Sequence, residues 1–299
     1  MTRRVLGIVA LVLSPAMHAL AQTPTPESDI YLAPLRRIRD SLVVGTPVNV
    51  THRTGYDNQP SFLPNSRGIL YTAVGADAQA DIWRYDIGER RTTRITATPE
   101  SEYSATVMPG GRRMSVIRVE ADSTQRLWSF ALDGTDPQVL LTQQKPVGYH
   151  VWLGPMRLAT YVLGKPATLH VVDSDGAHDD VRARDIGRAL HRVPGKDAYS
   201  YTQRDSSGTL WITVQPASGE SEIMLVKAAP GNEFHDWTPD GILLSATDGR
   251  LVRWNGALDA TRAWIPVADL AKSGVRNISR LTVSPDGKWL AFVAEPVNP

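Results

Sequence analysis

The chain has 299 residues, 32 Lys and Arg against 31 Asp and Glu, and no cysteine. This balance leaves no basic excess for a nucleic-acid or anionic-lipid surface, which needs clustered Lys and Arg. Without disulfides the fold must rest on its hydrophobic core, and a chain of this length can build one large enough.

At the N-terminus, Arg3 and Arg4 precede the apolar run Val5–Leu13, which is broken by Ser14-Pro15 and followed by Ala19-Leu20-Ala21. A basic start, a short apolar stretch and an Ala-x-Ala exit read as a cleavable export signal. The run falls short of the roughly 20 apolar residues of a membrane span. The expected division is a signal peptide, residues 1–21, and a mature unit, residues 22–299, that is periplasmic or secreted. No cysteine follows Ala21 to carry a lipid, and loss of the two arginines moves the net charge from +1 to −1.

Next come a strand at Asp29–Leu32, a short helical insert over Leu35–Leu42, and a second strand at Pro47–Thr51. A repeat then sets in, each copy a strand, a proline-bearing turn and a strand. Its turns are Leu63-Pro64-Asn65, Met108-Pro109-Gly110, Gly154-Pro155, Val193-Pro194-Gly195, Thr238-Pro239-Asp240-Gly241 and Ser284-Pro285-Asp286-Gly287. The prolines are spaced 45, 46, 39, 45 and 46 residues apart, a propeller-blade period. Proline presets φ for the first corner and glycine accepts a positive φ at the last. Third strands follow at Ile82-Trp83, Leu127-Trp128, Leu169-His170, Leu210-Trp211 and Leu251–Trp254. Fourth strands follow at Thr93–Thr96, Val139–Thr142, Ile223–Val226 and near Trp264–Val267.

The sixth copy stops after two strands, and Asp29-Ile30-Tyr31-Leu32 matches Asp81-Ile82-Trp83-Arg84. The expectation is therefore an all-β, six-bladed β-propeller closed by N-terminal strands that complete the last blade. A closed ring has no exposed sheet edge, so a monomer is expected.

The segments Ser284-Pro285-Asp286-Gly287-Lys288, Thr238-Pro239-Asp240-Gly241, Pro60-Ser61-Phe62-Leu63-Pro64 and Ala80-Asp81-Ile82-Trp83 resemble the TolB-type, WD-like propeller repeat. The resemblance spans the mature chain and implies the fold. TolB carries an α/β domain ahead of its propeller, for which this chain has no room. No Gly-x-Ser-x-Gly element marks a serine peptidase.

In such a ring the innermost strands line a central channel, and ligands occupy one of its mouths. His150, His191 and His235 enter three consecutive innermost strands at nearly one level. They can pack between blades, each with a ring nitrogen bonded to a neighbour, or converge on a ligand or a divalent metal. Tyr149, Asp236 and Glu102 lie near them in repeat register and could orient a ligand or move a proton. This style of site is similar to that of the histidine-lined, manganese-using oligogalacturonate lyases, which also have TolB-like repeats.

Asp173-Ser174-Asp175-Gly176 with Asp179-Asp180 lacks the spacing and closing glutamate of a calcium loop, and reads as a hairpin turn. The eight tryptophans read as packing. The preferred function is a cell-envelope binding or scaffolding protein, not an enzyme. It would hold an envelope protein or a small ligand at its channel mouth and need no cofactor. The alternative is a metal-assisted lyase or hydrolase of a small or sugar-derived substrate, its metal on His150, His191 and His235.

Overall fold

The structure, a computed structural model, describes residues 27–254, 256 and 263–296. The segment read as an export signal, residues 1–21, lies outside them. The chain is all-β, with one short 3-10 turn at Leu270–Ser273 among the described residues. None of the described helices is long and apolar enough to cross a membrane.

Five antiparallel four-stranded sheets follow one another along the chain. Their innermost strands are Tyr56–Phe62 in blade 1, Ser101–Val107 in blade 2, Val147–Trp152 in blade 3, Ile186–Arg192 in blade 4 and His235–Trp237 in blade 5. The outermost strands are Arg91–Arg94, Gln138–Val139, Asp179–Arg184, Ile223–Lys227 and Ile265–Asp269. Blade 6 begins with Leu281–Val283 and Trp289–Ala294, and its third strand is β1, Asp29–Ile38. β1 pairs with Trp289–Ala294 in the register Ile30↔Val293 and Tyr31↔Phe292. The outer edge is supplied by β2, Ser41–Val44, and β3, Val48–Asn49, both antiparallel to β1. The N-terminal strands thus complete the last blade, and the ring has six blades.

The expected helix over Leu35–Leu42 is not formed. β1 runs on to Ile38, turns through Arg39 (φ 54°) and Asp40, and returns as β2 with Leu35 opposite Val44. Leu35, Ile38 and Leu42 fit a helical stripe as well as a strand, so the sequence pattern alone is ambiguous there. Pairing decides it: the Leu35 N–H donates to the Lys288 carbonyl at 2.7 Å, and a helix would leave that edge unpaired. Leu35 and Leu42 pack into the core between blades 5 and 6, while Ile38 and Val43 face outward.

The turn between the first two strands of each blade is closed by one repeated hydrogen bond. In blades 5 and 6, Thr238 N–H donates to the Ile242 carbonyl and Ser284 N–H to the Trp289 carbonyl. The glycine two residues after the proline takes a positive φ, 85° at Gly241 and 69° at Gly287, which a side chain would resist. The same bond starts from Leu63, Met108, Leu153 and Val193, so these six donors mark equivalent positions around the ring.

Six apolar clusters fill the six blade interfaces. Ile30, Phe62, Ile69 and Val293 form the one between blades 6 and 1, where the chain's beginning meets its end. Leu63, Ile82, Met114 and Phe130 form the next. No blade buries both faces alone, so neighbours complete each other's core.

Candidate channel site

The six equivalent turn donors fix the phase of every innermost strand. Three residues before them stand Pro60, Ala105, His150, Leu190, His235 and Leu281. Two residues before stand Ser61, Thr106, Val151, His191, Asp236 and Thr282. Successive side chains on a strand point to opposite faces of the sheet. His150 and His235 therefore share a face that looks back at the preceding blade, and His191 is one residue out of phase and turns the other way.

His150 and His235 are built into identical constellations. His150 Nε2 lies 2.6 Å from Ser115 Oγ of blade 2, and the Trp152 indole N–H donates to the same oxygen at 2.9 Å. His235 Nε2 lies 2.9 Å from Ser200 Oγ of blade 4, to which Trp237 also donates at 2.9 Å. Ser115 and Ser200 are fully buried. Burial penalises the imidazolium, pushing His150 down to about 4 and His235, which also feels His191, down to about 3. Two neutral rings thus pin adjacent blades through buried serines.

His191 faces blade 5. Its Nδ1 is 3.1 Å from Asp236 Oδ1, and its ring centre is 5.1 Å from that of His235. Asp236 Oδ2 accepts the Val283 N–H of blade 6 at 2.8 Å, and Oδ1 accepts the Trp237 N–H. Burial alone would raise the Asp236 carboxyl, but the adjacent imidazole and the two backbone donors hold it below the usual carboxylate range. The structure therefore brings His191 close to His235 and Asp236, whereas His150, which lines the same recess, is bonded at the interface of blades 2 and 3. Among the described residues no three His, Cys, Asp or Glu side chains come together to hold a metal ion.

Glu102 is not in the channel. It is buried in blade 2, where Oε1 accepts from Thr98 Oγ1 and lies 3.3 Å from Arg118 Nε. Asp57 occupies the equivalent place in blade 1, six residues before its turn donor, and is paired with Arg53. In both blades the buried acid at this position pairs with an arginine, from the preceding loop in blade 1 and from the second strand in blade 2.

Toward the end where the innermost strands begin, the channel holds a recess of about 200 Å³. Its lining includes Tyr149, Arg188, His191, Phe234, His235 and Arg280, and no Asp or Glu. The Arg280 guanidinium carbon sits 4.0 Å from the Phe234 ring centre and 4.8 Å from that of Tyr149, and Nη2 donates to Tyr149 Oη at 2.8 Å. Arg188 also borders Phe234, but its charge is met by Glu233, which accepts from Nε at 2.6 Å. A second cavity of about 340 Å³ shares Arg188, Phe234 and Arg280 and adds Tyr56, whose hydroxyl burial pushes up to about 12. A larger groove, about 720 Å³, opens beneath the β1–β2 hairpin, where Arg37 and Asp240 pair at 2.9 Å.

Sequence reasoning reached Tyr149 and the histidines but missed Arg188, Phe234 and Arg280. Phe234 and Arg280 share the position of Tyr149, four residues before the turn donor, so the repeat register could have found them.

No protein-family model matches the sequence, and no curated protein matches it. Solved structures do match. A protein assigned as TolB in Agrobacterium tumefaciens superposes with a TM-score of 0.70 at 15% identity, over 91% of this chain and all of that one. A gluconolactonase of Xanthomonas campestris gives 0.62 at 9%, covering 92% and 99% of the two chains. An oligogalacturonate lyase in complex with manganese gives 0.53 at 13%, covering 84% and 80%. Identities this low establish a shared propeller architecture, TolB-like in its arrangement, and the named activities diverge within it.

Proposed function

We propose that this chain is an exported binding protein whose propeller takes a ligand, an envelope protein or a small molecule, at the channel mouth where the innermost strands begin. The observation that supports this most is Arg280, stacked between Phe234 and Tyr149 in a recess whose lining contains no carboxylate. Well-packed aromatic and arginine groups are the usual anchors of recognition sites. His150 and His235 have their Nε2 atoms on buried serines, which leaves them a packing role.

A second reading, a metal-assisted lyase or hydrolase, draws its support from His191, whose Nδ1 is oriented by Asp236 inside the channel. It has less behind it, because the Nε2 atoms of His150 and His235 are engaged by Ser115 and Ser200. Affinity capture from envelope extract tests the first reading. Wild type should recover a partner that the Phe234→Ala, Tyr149→Ala double variant loses. If nothing depends on the mouth residues, and the purified protein carries one metal per chain that His191→Ala removes, the second reading replaces the first.

A further inference from the structure

The channel recess offers more hydrogen-bond donors than its own residues use. Arg280 has five N–H donors in a planar fork, and one of them is taken, by Tyr149 Oη. Among the described residues no Asp or Glu lies within ion-pairing distance of Arg280. Stacking on Phe234 fixes the plane of the guanidinium before any ligand arrives, which lowers the entropy lost on binding.

Two further features line the same recess, in blades 1 and 2. Gln59 and Ser104 are equivalent residues at bulges in the innermost strands, with φ of 57° and 54°. Neither is glycine, so both hold a sparsely populated backbone conformation, and both line the recess. Gln59 Oε1 accepts from Thr72 Oγ1 at 2.8 Å and from the Ser104 N–H at 3.0 Å. That leaves the Gln59 amide nitrogen as a donor. Ser104 Oγ is buried without a hydrogen-bond partner, although an unpaired buried hydroxyl is costly. Strained backbone and an orphaned hydroxyl therefore share one recess with the Arg280 guanidinium.

We propose that the recess binds the carboxylate of an organic acid. Arg280 takes it in bidentate fashion, Ser104 and Gln59 donate to it, and the rest of the ligand lies over Phe234 and Tyr149. This rests on the channel-mouth reading above and adds the ligand's chemistry to it. The acid has two possible sources, a free small molecule or the C-terminal carboxylate of a peptide.

Isothermal titration of the purified protein separates these possibilities. The probes are benzoate for a free acid, a short peptide ending in phenylalanine with a free C-terminus, and the same peptide as its C-terminal amide. The wild type should bind at least one acid and not the amide. Preference for benzoate or for the peptide identifies the source. Arg280→Gln should weaken acid binding by about tenfold or more, the loss expected for a charge-assisted pair. Arg280→Lys should recover only part of it, because an ammonium lacks the fork.

Equal binding of acid and amide by the wild type, or no binding of either acid, would overturn the proposal whether or not the variants fold. If the Phe234→Ala, Tyr149→Ala variant loses an envelope partner that Arg280→Gln still captures, the channel-mouth reading stands and the carboxylate assignment fails.

Discussion

Ser115 Oγ is the hydrogen-bond partner that two side chains of the next blade share. In Ser115→Ala the His150 imidazole and the Trp152 indole both lose their partner in a closed interface, at a cost of about 2–4 kcal/mol. Ser200→Ala should cost the same, because its constellation is a copy. Urea unfolding measures both, and a change below about 0.5 kcal/mol in either would remove the idea of serine pins. The same histidines give a pH signature. Their folded values of about 4 and 3 lie below the 6.5 of a free imidazole, so the unfolded chain takes up protons first as pH falls. Their contribution is complete above pH 6.5 and declines below it until the folded values are reached, by up to about 1.4 kcal/mol per pH unit for each histidine. Asp57, pushed up to about 6 by burial, works in the opposite sense over part of this window. The test is therefore differential: between pH 7 and 4.5 the urea midpoint of His150→Gln should fall less steeply than that of wild type. Parallel slopes would contradict a buried neutral ring. In the sequence, the level of the three histidines was legible but their phase was not. Pro155 sits one position later in its turn than the other five prolines, so counting from it hides that His150 shares the phase of His235; His191 is one residue out of phase and, because a strand's side chains reverse every residue, turns to the other face.

At the scale of elements, the repeated units were legible because their turn chemistry is local. A proline followed by a glycine at positive φ dictates the corner wherever it recurs. The segment Leu35–Val44 belongs to no repeat, so only its apolar spacing was available, and that spacing fits two structures. The hairpin is fixed by partners far away in sequence, Lys288 above all. The two structures make opposite demands on Ile38. A helical stripe would bury Ile38 together with Leu35 and Leu42, whereas the hairpin buries Leu42 at 8% exposure and leaves Ile38 at 55%. Leu42→Asp should therefore cost more than about 3 kcal/mol, because an unpaired carboxylate would enter an apolar cluster. Ile38→Asp should stay within about 0.5 kcal/mol. Comparable losses in the two variants, read from thermal unfolding, would return the segment to a helix.

For the whole molecule, the question is whether the seam between chain ends is weaker than the other five interfaces. The repeat supplies a matched pair with which to ask it. Ile30 in β1 and Ile82 in blade 1 are equivalent third-strand residues, exposed 1% and 0%. The Ile30 N–H donates to Thr51 Oγ1 at 3.1 Å and the Ile82 N–H to Thr96 Oγ1 at 2.8 Å. At the seam, Asp29 receives Thr51 Oγ1 and Asn49 Nδ2, so the strand that closes the ring is held by side chains as well as by its ladder. Each isoleucine fills a two-blade cluster, and truncation to alanine should cost about 2–4 kcal/mol at either place. Opening any one interface uncovers two apolar faces at once, whichever blades they belong to, so the ring should unfold as a unit. Ile30→Ala and Ile82→Ala should then shift the urea midpoint equally, with the slope of the transition unchanged. An early, separate transition in Ile30→Ala alone would show that the seam opens first, and that covalent continuity within the other blades contributes what the closing strands do not.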